Sequence, residues 1–288
     1  MKKTYFLAGV AILFWSTSAT VSKLLLGALD SMQVLYASAL FSGVFLLGWN
    51  VVTGNIKKLR AYKAKDYLCI LLIGLPGTFI YYLLLYTATD LMQASQALTI
   101  NYLWLIISVV FACILLKEKM TIRKAVAIGI SFVGMAIVVG ADGGSMDRNT
   151  MVGAICCILA AASYGLFTAL NQKFGYDKRL SMMFFYLTTF VLAGAVLGVT
   201  HEIPKLNWLQ TLGMGYNGIC NMAIAATAWA LALDSGKTAK ISNLAYITPF
   251  LSLVWTAVFL KEQIHLSSVL GLTVIVLGIF VQLKDRES

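Results

Sequence analysis

The sequence predicts an all-α membrane protein in which ten transmembrane helices form two inverted five-helix repeats. Three observations predict this fold class: the composition, the length of the apolar segments and an internal repeat. Of the 288 residues, 60% are hydrophobic and 12% are charged, whereas a soluble domain carries about 25% charged residues. The composition therefore excludes an ordinary soluble protein. It also excludes a disordered chain, which needs low hydrophobicity and high charge.

Ten segments are apolar over a length that can cross a bilayer, which takes about 20 residues. The connections between them are mostly short and carry Gly, Asp, Asn, Lys or Arg, as helix ends do. The first segment follows Met1-Lys2-Lys3, as in a signal peptide. It is too long for one and no clear cleavage site follows, so we expect it to remain as the first helix. The predicted spans are 5–27, 32–53, 67–87, 93–116, 122–140, 150–171, 180–200, 208–233, 239–260 and 266–283.

The positions of the basic residues predict the orientation of the spans. With the N-terminus in the cytoplasm, all but four of the 22 Lys and Arg residues lie on the inner side, the exceptions being Lys23, Arg148, Lys205 and Lys261. This bias predicts a multi-pass protein of the bacterial inner membrane with both termini cytoplasmic. The net charge of +10 then follows from topology. We therefore expect the lipid bilayer, not nucleic acid, as a partner, and a monomer or homodimer.

The cysteines and histidines predict no metal site. All five Cys residues lie inside predicted spans, their spacing fits no zinc pattern, and His201 and His265 are far from them in sequence. An intramembrane enzyme would need convergent acid, base or nucleophile side chains, and the spans carry no acidic residue near their middle. We therefore expect no catalytic residue, no metal, no cofactor and no enzymatic activity.

The chain repeats itself. Leu116-Lys117-Glu118 recurs 144 positions later as Leu260-Lys261-Glu262, and the same offset aligns Tyr102 with Tyr246. The repeat predicts two halves, 1–144 and 145–288, which must have opposite orientation because each holds five spans. Inverted repeats are typical of alternating-access transporters of small molecules, whose substrate site lies at the repeat interface near the bilayer midplane. Two duplicated halves that form a scaffold, pore or scramblase are the alternative.

Glycine and proline interrupt the two halves at matching places. Pro76 and Gly77 lie within the third span, and Gly218 lies at the corresponding point of the eighth. We expect Pro249 to kink the ninth span. Interrupted helices at corresponding positions point to a transport site, since irregular backbone in a membrane is tolerated only beside protein or water. These four residues are the predicted hinge or gating residues; close helix packing is the alternative.

No charged side chain falls near the middle of a span, where each would cost about 2.5–3.5 kcal/mol or more. This disfavours a cation antiporter with a buried carboxylate and an exchanger of phosphorylated substrates. The middle instead carries neutral polar and aromatic groups, which suit an uncharged or zwitterionic solute or, by cation–π attraction, a quaternary amine such as choline. For Asn101, an interhelical hydrogen bond is the alternative role. The predicted substrate-binding residues are Trp15, Ser16, Tyr82, Asn101, Tyr102, Trp104, Tyr164, Asn221, Trp229 and Tyr246.

Glu118 and Glu262 each stand between an apolar segment and the next predicted helix. A carboxylate at such a junction accepts hydrogen bonds from the free amides of the next helix and complements its dipole. We therefore expect both residues to cap the helix that follows them and not to act as gates.

Ten spans, a five-plus-five repeat and a Leu-x-Glu ending in the fourth helix of each half resemble the EamA family of the drug/metabolite transporter superfamily over essentially the whole chain. Four segments are similar to bacterial aromatic amino acid exporters, in which proline usually follows Asn-Tyr-Leu-Trp; here Leu105 stands instead. The resemblance implies a central cavity between the first, third, fourth, sixth, eighth and ninth helices, and secondary transport that exports amino acids or related metabolites. The similar segments are Phe14-Trp15-Ser16-Thr17, Ile100-Asn101-Tyr102-Leu103-Trp104, Ala228-Trp229 and Tyr246-Ile247-Thr248-Pro249.

Overall fold

A computed structural model describes residues 2–117, 119–140, 147–200, 203–233, 244–245 and 247–283 of the chain. All regular secondary structure in these residues is helical. A short 3₁₀ turn at Asn55–Ala61 joins the second and third long segments. The long segments, labelled in chain order, are α1 Lys2–Leu26, α2 Ser31–Val52, α3 Ala64–Leu91, α4 Ala94–Leu115, α5 Ile122–Gly140, α6 Arg148–Lys173, α7 Lys178–Thr200, α8 at 208–233, α9 Ile247–Phe259 and α10 Leu266–Leu283.

Six of these helices are long and apolar enough to cross a membrane: α1 to α4, α6 and α7. Shorter apolar helices occur at Ile247–Phe259 and Leu266–Gly278. Large apolar side chains such as Phe6, Val52 and Val199 are exposed on the outside of the bundle, as expected where lipid covers the surface. The chain is thus an all-helical membrane protein. The helices begin and end within a few residues of the predicted spans, except that α9 starts at residue 247 and the predicted residues 239–243 lie outside the described ones.

Polar side chains just before several helices cap their first backbone amides. The first amides of a helix have no intrahelical acceptor, so an Asp or Asn oxygen just before the helix stabilises it. Asp30 Oδ1 accepts from the amides of Met32 and Gln33 at 2.8 and 2.9 Å before α2. Asp147 does the same for α6, Asp177 for α7 and Asn207 for α8.

Two helices contain a wide, π-helical segment, at Leu75–Ile80 in α3 and Asn217–Ile224 in α8. These are the two places that the glycines and the proline predicted, and they correspond under the 144-residue offset. In a wide turn an amide reaches back five residues, as the Tyr81 amide does to the Pro76 carbonyl, and neighbouring helices add further donors. Ser163 Oγ donates to the Pro76 carbonyl at 2.7 Å, and Trp15 Nε1 donates to the Asn221 carbonyl at 3.2 Å.

Helix α4 is broken in the middle although it has no proline there. Its first part, Ala94–Asn101, ends at Tyr102, and the second part, Leu103–Leu115, follows directly. Pro249 is the third residue of the described helix α9, where a missing amide breaks no intrahelical hydrogen bond. Residues 239–243 and 246 of the predicted ninth span lie outside the described ones, so a kink of that span at Pro249 stays a prediction.

Helices α4 and α9 end in the same way. The lysines that follow them, Lys117 and Lys261, have positive φ of 58° and 56°. Residues with a Cβ seldom adopt this left-handed conformation, which costs about 1–2 kcal/mol. It stops each helix and turns the chain sharply at positions 144 residues apart.

The helices of the two sequence halves pack against one another. Helix α1 makes its most extensive contacts with α8 and α9, and α6 makes its own with α3 and α4. The remaining large contacts pair α2 with α7 and α5 with α10. Each contact in one half therefore has an equivalent in the other: the contacts of α1 with α8 and α9 correspond to those of α6 with α3 and α4. The contacts of α1 and α6 bring helices from both halves around the centre of the bundle.

Candidate functional site

A cavity of about 70 Å³ lies among α1, α3, α4, α6 and the start of α9. One buried water needs about 10–15 Å³, so the cavity has room for about five waters. It lies between the middle of the bundle and the end at which α1 and α3 finish and α4 begins, which we call the outer end. The lining residues are Trp15, Ser18, Ala19, Ser22, Tyr81, Tyr82, Leu85, Thr89, Leu98, Asn101, Tyr102, Trp104, Tyr164, Ala245 and Thr248.

The wall of the cavity combines aromatic faces with neutral polar groups. Along the described part of the chain, no acidic or basic side chain lines it. Tyr164 is central to the aromatic part: its ring centre lies 4.9 Å from that of Trp104, edge to face, and 4.5 Å from that of Tyr81. Tyr81 in turn lies 4.9 Å from Tyr82. Such contacts hold the rings in fixed orientations.

Asn101 brings a buried hydrogen-bond acceptor without a partner to the site. Its Nδ2 donates to the Tyr81 hydroxyl at 3.1 Å, whereas its buried Oδ1 has no hydrogen-bond partner. Leaving such an acceptor unpaired costs about 1–3 kcal/mol. The amide nitrogen therefore ties α4 to α3, one of the two roles that the sequence left open, and the oxygen is a buried, unpaired acceptor in a residue that lines the cavity.

Three predicted substrate-binding residues that the structure describes do not line the cavity. Ser16 Oγ accepts from Trp255 Nε1 at 3.0 Å and so packs between α1 and α9. Trp229 lies behind Trp15, with the ring centres 5.6 Å apart. Asn221 is discussed below, and Tyr246 lies outside the described residues. The six predicted residues that line the cavity are Trp15, Tyr82, Asn101, Tyr102, Trp104 and Tyr164.

Several residues that line the cavity were not among the predicted ones, although their helical spacing from Trp15 indicates that they share its helix face. Trp15, Ser18, Ala19 and Ser22 stand at positions i, i+3, i+4 and i+7, which form one face of a helix. Ser16 is off that face. The same spacing relates the α3 and α4 lining residues: Tyr81, Tyr82, Leu85 and Thr89, and Leu98, Asn101 and Tyr102.

Asn221 belongs to a buried polar network beside the wide segment of α8. Its Nδ2 donates to Asn217 Oδ1 at 3.2 Å. Asn217 Nδ2 donates to Ser38 Oγ at 2.9 Å and to the Tyr86 hydroxyl at 2.8 Å. Thr17 Oγ1 donates to Asn221 Oδ1 at 3.4 Å. The network joins α1, α2, α3 and α8, so Asn221 holds helices together behind the cavity.

The predicted hinge residues are tightly packed in this structure. A Cβ added at Gly77 would overlap the Phe167 ring, and one at Gly218 would overlap the Ser38 carbonyl oxygen. Both glycines therefore allow close helix contact here. Movement about Pro76, Gly77 and Gly218 stays a prediction.

Glu262 caps a different helix from the one that the sequence predicted. Its Oε1 accepts from the Ala94 amide at 2.8 Å and its Oε2 from the Ser95 amide at 3.1 Å. The capped helix is thus α4, in the other half of the chain, and not α10, which follows Glu262. The prediction was right about a cap and wrong about its helix. Glu118 lies outside the described residues.

A model of the EamA-like transporter family matches residues 2–140 and again residues 151–283. The chain belongs to the EamA-like transporter family. The family resemblance of the sequence is thereby confirmed, and the protein is a membrane transporter. The expected non-enzymatic nature agrees with a family of transporters.

This EamA-like transporter has relatives in bacteria and archaea. It is 27% identical to an uncharacterized transporter of Clostridium kluyveri, over 100% of this chain and 95% of that protein. An uncharacterized transporter of Archaeoglobus fulgidus is 23% identical over 99% and 100% of the two chains. The aromatic amino acid exporter YddG of Ancylobacter novellus is 22% identical over 62% and 63%. A solved crystal structure shares the fold over 100% of both chains, with a TM-score of 0.73 and 20% identity.

Proposed function

We propose that this EamA-like transporter works by alternating access and exports amino acids or similar small neutral or zwitterionic metabolites across the bacterial inner membrane. The cavity carries the proposal. Its described wall offers aromatic faces, hydroxyls and one unpaired amide oxygen, and no ionised side chain. A substrate with a net charge would lack a counter-charge there, which is costly away from water.

The proposed topology has ten spans, inverted halves at 1–144 and 145–288, and both termini in the cytoplasm. The two separate family matches support the halves. Further support comes from the paired wide segments of α3 and α8, and from the left-handed Lys117 and Lys261. Substrate would then bind between the halves, and their rocking would expose it to one side at a time.

The ammonium end of an amino acid fits the aromatic side of the cavity. The faces of Trp104 and Tyr164 attract a cation, and Asn101 Oδ1 accepts a hydrogen bond from it. The Ser18 hydroxyl of α1 also lines the cavity, where it suits a carboxylate end. The distant relative named as an aromatic amino acid exporter supports this substrate class.

A second candidate is a transporter of quaternary amines such as choline. Six aromatic side chains line the cavity, and an aromatic wall is the usual receptor for a quaternary ammonium group. Choline has no N–H group for Asn101 Oδ1, although its hydroxyl can donate. The two candidates therefore differ in which ligand group Asn101 serves.

Flux into liposomes that contain the purified protein tests both candidates. The panel is radiolabelled aromatic and aliphatic amino acids plus choline, with and without a pH gradient. We expect the protein to accelerate equilibration of an amino acid, and to do so independently of the gradient, because no Asp, Glu, Lys, Arg or His side chain lines the described wall. Flux of choline alone would support the second candidate. Flux of a phosphorylated or strongly cationic control in place of both would contradict the proposal.

A further inference from the structure

Helix α4 begins without a cap of its own. Gln93, the residue before it, makes no capping hydrogen bond with its side chain. The Glu262 carboxylate takes that place from 167 to 168 residues away, accepting from the amides of Ala94 and Ser95. We call this arrangement the Glu262 clasp. It joins the connection between α9 and α10 in the second half to a cavity-lining helix of the first.

The backbone directs Glu262 toward α4. Lys261, the residue before it, is in the left-handed region with φ of 56°. A strained residue of this kind persists only where the surroundings compensate for it. Two charge-assisted hydrogen bonds to the positive end of a helix dipole provide that compensation.

The other side of the same turn is fixed within the first half. Lys23 Nζ donates to the carbonyls of Thr89, Asp90 and Met92, at 2.5, 3.1 and 2.9 Å. A cation thus sits on the C-terminal end of α3, and an anion sits on the N-terminal end of α4. Lys23 ties α3 to α1, both in the first half, whereas Glu262 ties α4 to the second half. Among the described residues, Glu262 provides the two charge-assisted hydrogen bonds that hold the halves together at this turn, and a longer contact of 3.5 Å between Gln93 Nε2 and His265 Nε2 lies beside them.

A second, more open cavity of about 330 Å³ lies at the outer end, and Glu262 and Lys23 both line it. Gln96 also lines it, one turn into α4, while Leu98 and Asn101 farther along the helix line the central cavity. The first part of α4 therefore separates the two cavities. A shift of its N-terminus would move Leu98 and Asn101 and widen the route between them.

We propose that Glu262 is a positioning residue for transport: its carboxylate fixes the N-terminus of α4 against the second half, keeps the outer mouth of the central cavity closed, and releases α4 when that mouth opens. The inference rests on the proposed alternating access. It concerns closure of the mouth and assigns no contact between Glu262 and substrate.

The test compares Glu262→Ala and Glu262→Gln with Asn207→Ala. Asn207 is a matched control because it caps α8 through the Gln210 amide at 2.9 Å, a local contact within one half. Spin labels at Leu91→Cys and Leu266→Cys, in a background without the five native cysteines, report the separation across the mouth. Glu262→Ala is expected to shift the equilibrium toward longer distances by about tenfold or more, as loss of charge-assisted hydrogen bonds implies. Glu262→Gln, which keeps one acceptor oxygen, is expected to lie between Glu262→Ala and the parent.

Transport kinetics supply the second readout. The Glu262 variants should lower the maximal rate by about tenfold and change the half-saturating substrate concentration by less than about twofold, because the cavity wall itself is intact. Asn207→Ala should leave both unchanged. An unaltered distance distribution in Glu262→Ala, or an equal shift in Asn207→Ala, would overturn the inference. The distance measurement needs no substrate, so absence of flux from the whole panel would count against the proposed substrate class and not against the clasp.

Discussion

Asn101 is the residue at which binding and packing meet. Its nitrogen donates to Tyr81, and its buried oxygen has no hydrogen-bond partner. The sequence could show that an amide lies in a membrane span beside Tyr102 and Trp104. It could not show that the two ends of the amide have separate roles, because that depends on where the Tyr81 hydroxyl lies after α3 and α4 pack.

Replacing Asn101 or Trp104 with alanine is expected to abolish transport while the protein still folds and inserts. Either change removes a group from the cavity wall, and losing the amide or one aromatic face should lower flux by about tenfold or more. The measurement is flux in liposomes, with size-exclusion chromatography to check folding. Ser16→Ala is the control, since Ser16 was also predicted to bind substrate but does not line the cavity. Normal flux in both cavity variants would contradict the assignment of the site.

Asp177 gives a pH-dependent contribution to stability at the start of α7. Partial burial raises the pKa of its carboxyl, but the hydrogen bond and charge of Lys58 and the amides of Leu180 and Arg179 outweigh burial, so the pKa is lowered. A lowered pKa in the folded state means stability that is present above the unfolded value of about 3.9 and is lost below it.

Asp177→Asn is therefore expected to lower the stability of the protein by less than about 1 kcal/mol at pH 7, because the amide can still cap the helix and only the solvent-screened ion pair with Lys58 is lost. The difference from the parent should shrink as the pH falls through the carboxyl range, because the parent then loses its charge as well. Thermal unfolding in detergent at several pH values measures this. A difference that stays constant down to pH 3 would mean that the charge of Asp177 contributes nothing.

At the scale of the element, apolar run length predicted the helices well, and glycine and proline predicted where α3 and α8 are irregular. The break in α4 at Tyr102 has no such residue, since Leu105 stands where a proline was expected from the family. Leu105 N instead donates to the Tyr102 carbonyl at 3.2 Å, a tighter turn that needs no proline. Pro249 is the third residue of the described helix α9, and its predicted effect on the whole ninth span stays a prediction because residues 239–243 and 246 lie outside the described ones.

The wide segment of α3 is tied to α6 by a hydrogen bond. The Pro76 carbonyl accepts from Ser163 Oγ and also from the Tyr81 amide. Ser163→Ala removes the first of these two hydrogen bonds and should destabilise the protein by about 0.5–1.5 kcal/mol. Thr168→Val in the same helix is the control, because the Thr168 hydroxyl only bonds the Tyr164 carbonyl of its own helix. Thermal unfolding compares the two. Equal shifts would show that the wide segment does not need Ser163.

At the scale of the whole molecule, the repeat was readable from sequence but the interleaving of the halves was not. The 144-residue offset aligns α1–α5 with α6–α10, yet it does not say which helices touch. In the structure α1 packs mainly with α8 and α9, and α6 with α3 and α4. Sequence patterns of single helices carry no information on partners so far apart along the chain.

This interleaving predicts that neither half is stable without the other. Residues 1–144 and 145–288, expressed together as separate chains with an affinity tag on one, should co-purify because α1 and α6 each find their partners across the break. Either half expressed alone should aggregate or be degraded, since its first helix lacks its main contacts. A half that purifies alone as a single well-behaved species would contradict the prediction.

The bond from Trp15 to Asn221 joins residues 206 positions apart, and this distance sets a waiting time during biosynthesis. At about 5–20 residues per second, α1 stays in the membrane for about 10 to 40 s before the helix that receives Trp15 has been made. During that interval lipid surrounds a helix rich in hydroxyls. Ser16, Thr17 and Ser22 each donate to a carbonyl of α1 itself, so these hydroxyls are already satisfied in the newly inserted helix and remain so until its partners arrive.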